Sequence, residues 1–171
     1  MEKELALFNQ SKEEIINLIK GIDKDKLTKK PSEDEWSLTQ VVAHLIDSET
    51  GISKYIHKKS QELDELKNTG IKNSFMSYQL NKNLKSDKKF KAPKVVSSPP
   101  NTESFEELTQ RWEETRKRFL SVIEKLPKSA HKKQLFKHPR VGYLNIKQTL
   151  SFMAHHINHH IKQIESIKQS L

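Results

Sequence analysis

The stretch "NIKQTLSFMAHHINHHIKQI", residues 145–164, carries the apolar spacing that decides the fold. At about 100° per residue, six of its apolar side chains fall within an arc of roughly 80° on one side of an α-helix. These side chains are Ile146, Leu150, Met153, Ile157, Ile161 and Ile164. Asn145 suits the N-cap of this helix. We therefore predict an amphipathic helix that begins near Asn145 and continues almost to Leu171.

Three earlier segments show the same helical period. The first covers about residues 3–20 and ends before Gly21, a typical residue after a helix. The second begins after an N-cap at Ser37, and the third, residues 105–126, is closed by Pro127. Four long amphipathic helices predict an all-α protein, a four-helix bundle.

The connection between the second and third helices, roughly residues 60–100, is long for a compact domain unless it crosses the bundle or covers a site. Within it, "NSFMSYQL" (73–80) fits either a short helix or a loop. "KAPKVVSSPP" (91–100) is expected to be extended, because proline restricts the residue before it. No repeat or second domain is visible, so we predict one domain over residues 1–171.

Composition excludes several classes of protein. The chain has no cysteine, which rules out disulfides, thiolate metal sites and cysteine nucleophiles. Its start, "MEKELALFNQSKEE", lacks the basic and then apolar run of a signal peptide. No window approaches the ~20 apolar residues of a membrane span. We expect a soluble, cytoplasmic protein without a membrane partner.

The net charge of +9 comes from 31 Lys+Arg against 22 Asp+Glu. Such an excess can indicate nucleic-acid binding, but base and phosphate recognition usually depends on arginine, and the chain has only Arg111, Arg116, Arg118 and Arg140. The densest basic run, "KNLKSDKKFKAPK" (82–94), is expected in a loop. A solvated lysine surface is favoured over a nucleic-acid site.

Four of the eight histidines lie within residues 155–160. Side chains four residues apart on a helix are neighbours. His155 with His159, or His156 with His160, could therefore bind one metal ion together. The helical projection directs His156 and His160 inward, whereas His155 and His159 fall among polar residues. A useful site needs a third ligand.

The candidates for that third ligand are His44, His57, His131 and His138. His44 lies in the middle of the second helix beside its apolar stripe, so it can face the bundle interior. Three neutral imidazoles would suit Zn²⁺, Ni²⁺ or Fe²⁺ and leave positions open for water or substrate. Such an ion keeps its full charge, so it would polarise water or activate an external thiolate strongly.

A structural role for these histidines is the competing interpretation. A single inward histidine is more often a core residue whose nitrogens are hydrogen-bonded than a metal ligand. For an inward pair, the core role and the ligand role are about equally expected. His155, His131 and His57 are interpreted as surface residues. His159 could contact a neighbouring helix or a dimer partner.

At these residues the sequence resembles the DinB-like family, also called DinB/YfiT-like metalloenzymes. In that family a tryptophan-serine pair opens the second helix and a histidine follows, which matches Trp36, Ser37 and His44. An H-x-x-H-H-x-x-Q-I pattern on the last helix matches His156, His159, His160, Gln163 and Ile164. An HP-x-x-G connection before that helix matches His138, Pro139 and Gly142.

The resemblance implies a four-helix bundle with a long second-to-third connection and a divalent metal held by His44, His156 and His160. Characterised relatives include transferases that attach bacillithiol and isomerases that use mycothiol. The expected function is therefore transfer of a low-molecular-weight thiol cosubstrate to an electrophilic small-molecule substrate. A metal-dependent hydrolase is the alternative within the enzyme class. A non-enzymatic bundle with a structural metal and a partner-binding role is the alternative outside it, and relatives suggest a homodimer.

Four other residues are candidates near this site. Glu49 could act as a general base, although pairing with a lysine or arginine of another helix is favoured. Arg116 could bind an anionic substrate, but a surface guanidinium is favoured. Gln163 could be a hydrogen-bond partner for a ligating histidine. Arg140 could line the mouth of the site.

Overall fold

The computed structural model describes residues 1–86 and 99–171. The described elements are α1 (Glu2–Ile19), α2 (Lys24–Leu27), α3 (Leu38–Lys59), a 3₁₀ helix (Ser60–Glu65), α4 (Ile71–Leu84), α5 (Phe105–Glu124), a second 3₁₀ helix (Lys128–Lys132), β1 (Phe136–His138), β2 (Gly142–Leu144) and α6 (Ile146–Gln169). The four long helices α1, α3, α5 and α6 form the predicted bundle. None of the described helices combines the length and apolar character needed to cross a membrane.

Contacts between the long helices give their order around the bundle. α1 packs on α6, α6 also meets α3, and α3 packs on α5. The rings of Phe8 on α1 and Phe119 on α5 meet edge to face, with their centroids 5.8 Å apart. α1 and α5 are therefore neighbours as well, which completes the bundle. The apolar stripes of all four helices therefore face one shared core, and α3 and α6 are neighbours there.

The predicted helix boundaries are confirmed by cap geometry. The Ser37 side chain accepts the N–H of Gln40 at the start of α3, and Asn145 accepts the N–H of Gln148 at the start of α6. α1 ends at Ile19, and Gly21 follows with a φ of +86°, a left-handed conformation that glycine adopts without strain.

The second-to-third connection contains a helix. α4 covers "NSFMSYQL" and extends on both sides, so the helical alternative is correct there. Lys82, expected in a loop with the rest of the basic run, lies in α4, because the buried side chains of Leu80 and Leu84 hold this turn on α6. Most of the extended stretch at 91–100 lies outside the described residues.

A β-hairpin precedes α6 and was not predicted. Phe136 pairs with Leu144 and His138 with Gly142, in antiparallel register. Its strands have three residues each, too few for the alternation that identifies a strand in sequence. The fold is thus mostly helical rather than purely α, and the hairpin packs beside α3 and α6.

Candidate metal centre

Three histidines from two helices meet inside the bundle. His44 on α3 is 4% exposed, and its Nε2 lies 3.4 Å from Nε2 of His156 on α6. Nε2 of His160, one turn further along α6, lies 3.3 Å from the same His156 atom. The ligand atoms of all three lie within 4.8 Å of one another. The helical projection predicts the inward pair His156 and His160, and the structure places His44 against it.

The local sequence explains why these rings converge. On α6, the turn before His156 carries the buried Phe152 and Met153, which place that face against the core. On α3, Ala43 and Leu45 beside His44 are buried as well. Because α3 and α6 are neighbours in the bundle, the three imidazoles share one space between them.

The separations fit a metal better than a hydrogen-bonded histidine cluster. Four nitrogens placed tetrahedrally at 2.0–2.1 Å from Zn²⁺ lie about 3.3–3.4 Å apart. A hydrogen bond donated by nitrogen is usually shorter, about 2.9–3.0 Å. The Nε2 separations of His44 from His156 and of His160 from His156, 3.4 and 3.3 Å, match this tetrahedral edge. The donor set and its spacing therefore fit a divalent ion.

Burial keeps the α6 pair in the neutral form that binds metal. Burial lowers the pKa of His160 to about 3, and repulsion from His44 adds to the shift. The pKa of His156 is also well below its usual value, first because of burial and then because of the neighbouring His160 and His44. Both rings are thus uncharged near pH 7, with nitrogen lone pairs available for coordination.

Gln163 fixes the proton of His160. Its Oε1 lies 2.7 Å from Nδ1 of His160. Because a carbonyl oxygen only accepts, Nδ1 must donate, and the neutral ring then carries its lone pair on Nε2, the atom that points toward His156. The predicted hydrogen-bond partner is therefore in place.

Aromatic rings flank the triad, one from the residue before the N-cap of α3 and one from α6. The rings of Trp36 and His44 lie 5.0 Å apart, and Phe152 stacks on His156 at 5.7 Å with an angle of 19° between the planes. Phe136 of the hairpin stacks in turn on Phe152. Phe152 is not among the residues predicted from the sequence; its position one turn before His156 is the signal that identifies it.

His138 lies beside this aromatic stack. Its ring meets that of Phe152 edge-on at 4.7 Å, and its Nδ1 accepts the backbone N–H of Arg140 at 3.2 Å. The proton of the neutral ring is therefore on Nε2. Burial, and to a smaller extent the charge of Arg140, lowers the pKa of His138 to about 4. Arg140 itself is exposed in the turn of the hairpin.

The remaining histidines have other positions. Nδ1 of His159 lies 3.0 Å from the carbonyl oxygen of Leu84, so His159 donates a hydrogen bond to the last residue of α4. Of the two alternatives for His159, contact with a neighbouring helix is the one that the structure shows. His57 is exposed, as predicted. His155 and His131 are half-buried.

Glu49 and Arg116 form a buried ion pair between α3 and α5. Nε of Arg116 donates to Oε1 of Glu49 at 2.7 Å, and Trp112 Nε1 donates to Oε2 at 2.8 Å. The surface position favoured for Arg116 is wrong. Its side chain is 3% exposed because Glu49 and the carbonyl of Phe8 satisfy it inside the bundle. The structure shows the ion-pair alternative for Glu49, and its role as a general base stays a prediction.

The sequence matches the profile of the DinB superfamily over residues 7–164. A relative, the uncharacterized protein YuaE of Bacillus subtilis (strain 168), is 26% identical over 169 residues, 98% of either chain. The crystal structure of TT2238, a four-helix bundle protein, superposes with a TM-score of 0.60 at 17% identity, covering 96% of this chain and 98% of that one. YfiT of Bacillus subtilis, described as a probable metal-dependent hydrolase with an unusual four-helix bundle topology, gives a TM-score of 0.55 at 16% identity, covering 98% and 85%. These two similarities show the fold.

Proposed function

The chain belongs to the DinB superfamily, and from that premise we propose that it is a metal-dependent enzyme whose divalent ion is held by His44, His156 and His160. The observation that carries the proposal is the convergence of three Nε2 atoms, two pairs of which are separated by 3.4 and 3.3 Å. Zn²⁺, Ni²⁺ and Fe²⁺ all accept such a set of imidazoles.

The chain's own residues prepare this site before any ion enters. Gln163 holds the proton of His160 on Nδ1, which leaves Nε2 as the ligand atom. Phe152 stacks on His156 and restricts its rotation, while Trp36 lies against His44. Burial keeps His156 and His160 neutral, so no proton has to be displaced near pH 7.

We propose that the reaction joins a low-molecular-weight thiol to an electrophilic small molecule. A divalent ion held by neutral ligands supplies a Lewis acid that lowers the pKa of a coordinated thiol or water. Within the described ranges, the cluster of possible ligands contains three histidines and no carboxylate. A thiol, with a pKa near 8.5 in the free amino acid, needs less activation than water and less help from a base. This chemistry supports thiol transfer.

Hydrolysis is the second candidate. YfiT, which shares the fold, is described as a probable metal-dependent hydrolase. A three-histidine site can also lower the pKa of water to near neutrality. The two candidates differ in one requirement, since only the transferase needs an added thiol.

The test is a turnover assay on untagged protein loaded with Zn²⁺, Ni²⁺ or Fe²⁺. A panel of thiols is offered with a generic electrophile such as a chlorodinitrobenzene, and a panel of activated esters is offered without thiol. Metal- and thiol-dependent product formation that is lost in His156→Ala supports the transferase, and thiol-independent ester cleavage supports the hydrolase. If the metal only raises the melting temperature and neither panel turns over, a structural metal replaces both.

A further inference from the structure

Net positive charge is concentrated in two segments of the chain. Residues 66–86 and 125–164 contain 12 lysines and arginines and no aspartate or glutamate, whereas the rest of the chain holds 19 basic and 22 acidic residues. The net charge of +9 therefore arises in these two segments, and the remainder is slightly acidic.

The fold places the two basic segments side by side. The backbone N–H of Thr69 donates to the carbonyl oxygen of Lys132 at 2.8 Å, and that of Gln134 donates to the carbonyl oxygen of Lys67 at 2.9 Å. Further along the chain, α4 packs on α6 and on β2. The connection before α4, α4 itself and the hairpin therefore form one side of the molecule, and this side carries an excess of positive charge.

The same side carries most of the exposed hydrophobic side chains. Five large ones are exposed in the described ranges. Four of these lie on α4 and β2, namely Ile71 at 92%, Phe75 at 58%, Tyr78 at 64% and Tyr143 at 37% exposure. We call these four side chains the α4 patch.

Lysines are interleaved with the α4 patch. At about 100° per residue, Lys82 and Lys85 project from the same arc of α4, about 80° wide, as the three members of the patch on that helix. Both lysines are exposed. On the hairpin, Nζ of Lys137 lies 5.5 Å from the centroid of the Tyr143 ring. One continuous face thus combines apolar and cationic side chains.

Packing inside the protein does not use this face. α4 contacts α6 through its opposite side, where Ser77, Leu80 and Leu84 are buried. A polar bond from Asn81 Nδ2 to Ser151 Oγ at 2.9 Å supports the same contact. The α4 patch is therefore held in place by contacts that leave it open to a partner.

We propose that the α4 patch and its lysines bind the surface of a membrane that contains anionic phospholipids. Apolar side chains of an interfacial helix enter the boundary between headgroups and acyl chains, and tyrosine suits the headgroup level. Lysines beside them are attracted by the negative charge of the lipids. The sequence predicts no membrane partner because it has no spanning segment, but a peripheral contact of this kind needs none.

A nucleic acid is the competing anionic partner, and it would attract the same lysines. Aromatic rings can stack on the bases of a single strand. Ile71, the most exposed residue of the patch, gains nothing from such stacking. Of the 12 cations in the two basic segments only Arg140 is an arginine, the residue that suits phosphate recognition best. A lipid surface, in contrast, uses all four side chains of the patch.

The test is flotation of the full, untagged chain with vesicles of phosphatidylcholine, alone or mixed with an equal part of phosphatidylglycerol. We expect binding only to the vesicles that contain phosphatidylglycerol, and weaker binding at about 500 mM NaCl than at about 50 mM, because salt screens the attraction. Phe75→Ser should weaken binding about tenfold, since less apolar surface leaves water. Lys82→Ala should weaken it about fivefold.

Matched control variants lie away from the patch. Leu18→Ser removes an apolar side chain from α1, and Lys117→Ala removes an exposed lysine from α5, which lies across the bundle from α6. Both variants should bind the vesicles as the parent chain does.

A fluorescent label tests the orientation of the bound protein. Because the chain has no cysteine, Ser74→Cys introduces the only thiol, on the exposed side of α4 next to Phe75. The emission of an environment-sensitive dye on this thiol should shift to shorter wavelength on vesicles that contain phosphatidylglycerol. The same dye on Glu114→Cys, on the exposed side of α5, should show no shift.

Three results would overturn the proposal. One is the absence of binding to phosphatidylglycerol vesicles at the lower salt concentration. Another is equal binding by the parent chain, Phe75→Ser and Lys82→Ala. Tighter binding to single-stranded or duplex DNA than to vesicles at equal phosphate concentration would assign the surface to a nucleic acid instead.

Discussion

Nε2 of His44 and Nε2 of His156 lie 3.4 Å apart although 112 positions separate the two residues in the chain. Their contact depends on the packing of α3 against α6, so the candidate metal centre is a product of the bundle and not of one local motif. An ion bound there would hold these helices together and stabilise the folded state by mass action. Metal affinity and folding stability should therefore respond together to changes at this contact.

Replacing Gln163 tests whether the hydrogen bond to His160 prepares a ligand. Gln163→Leu removes the oxygen that lies 2.7 Å from Nδ1 of His160, so the ring can rotate or change its tautomer. We expect a 10–100-fold loss of Zn²⁺ affinity with little change in secondary structure. Isothermal titration calorimetry on the metal-free protein measures this directly. Gln163→Glu keeps an acceptor and should keep most of the affinity, and equal affinities for all three proteins would rule out the orienting role.

Replacing Glu49 separates a structural role from a catalytic one. Glu49→Leu leaves the 3%-exposed guanidinium of Arg116 without its carboxylate, which should cost about 3–5 kcal/mol in the free energy of unfolding. The double variant Glu49→Leu/Arg116→Leu should lose far less than the sum of the single changes, since neither charge remains buried. Urea unfolding gives the free energies, and metal content should stay unchanged.

A catalytic Glu49 would behave differently from this ion-pair account. Glu49→Gln would then abolish turnover while stability and metal content remained near those of the parent protein. That combination would show that the carboxylate acts as a base in spite of its bonds to Arg116 and Trp112.

His138 should make stability depend on pH. Its pKa is about 4 in the folded protein and near 6.5 when unfolded, so between these values the unfolded state binds the extra proton. Stability should therefore rise with pH through this window and fall as pH decreases from 6.5 toward 4. From pH 7 to pH 5 the contribution lost is about 1–2 kcal/mol, allowing for partial exposure of the ring.

The measurement is urea unfolding at pH 7 and pH 5 in EDTA, compared between the parent chain and His138→Asn. Asparagine retains an oxygen near the position of Nδ1, so the bond from Arg140 can persist while the titration disappears. The variant should lose about 1–2 kcal/mol less than the parent. Parallel losses in the two proteins would exclude His138 as the group that titrates.

Periodicity predicted the parts of this protein that follow from one helix at a time. The stripe of α6 gave the inward pair His156 and His160, and the caps Ser37 and Asn145 gave the helix starts, because both depend on neighbours within about one turn. The choice of His44 as the third residue was supported by the family resemblance. Its contact with His156 depends on tertiary packing that no single-helix period encodes.

The errors have the same origin. Arg116 was expected at the surface because nothing on its own helix shows that Glu49 lies opposite it on α3. Residues 73–80 fit either a helix or a loop because the buried face of α4 has only two large apolar residues, Leu80 and Leu84, beside polar contacts such as that of Asn81 with Ser151. The hairpin strands are too short to show a period at all.

The central claim is that His44, His156 and His160 hold one divalent ion, and metal analysis of protein purified without a histidine tag tests it most directly. We predict about one equivalent per chain by inductively coupled plasma mass spectrometry, since one set of three ligands binds one ion. His44→Ala and His156→Ala should each lose it, whereas His155→Ala, one position from a ligand, should retain it. Full occupancy in the His44→Ala variant would contradict the three-histidine site.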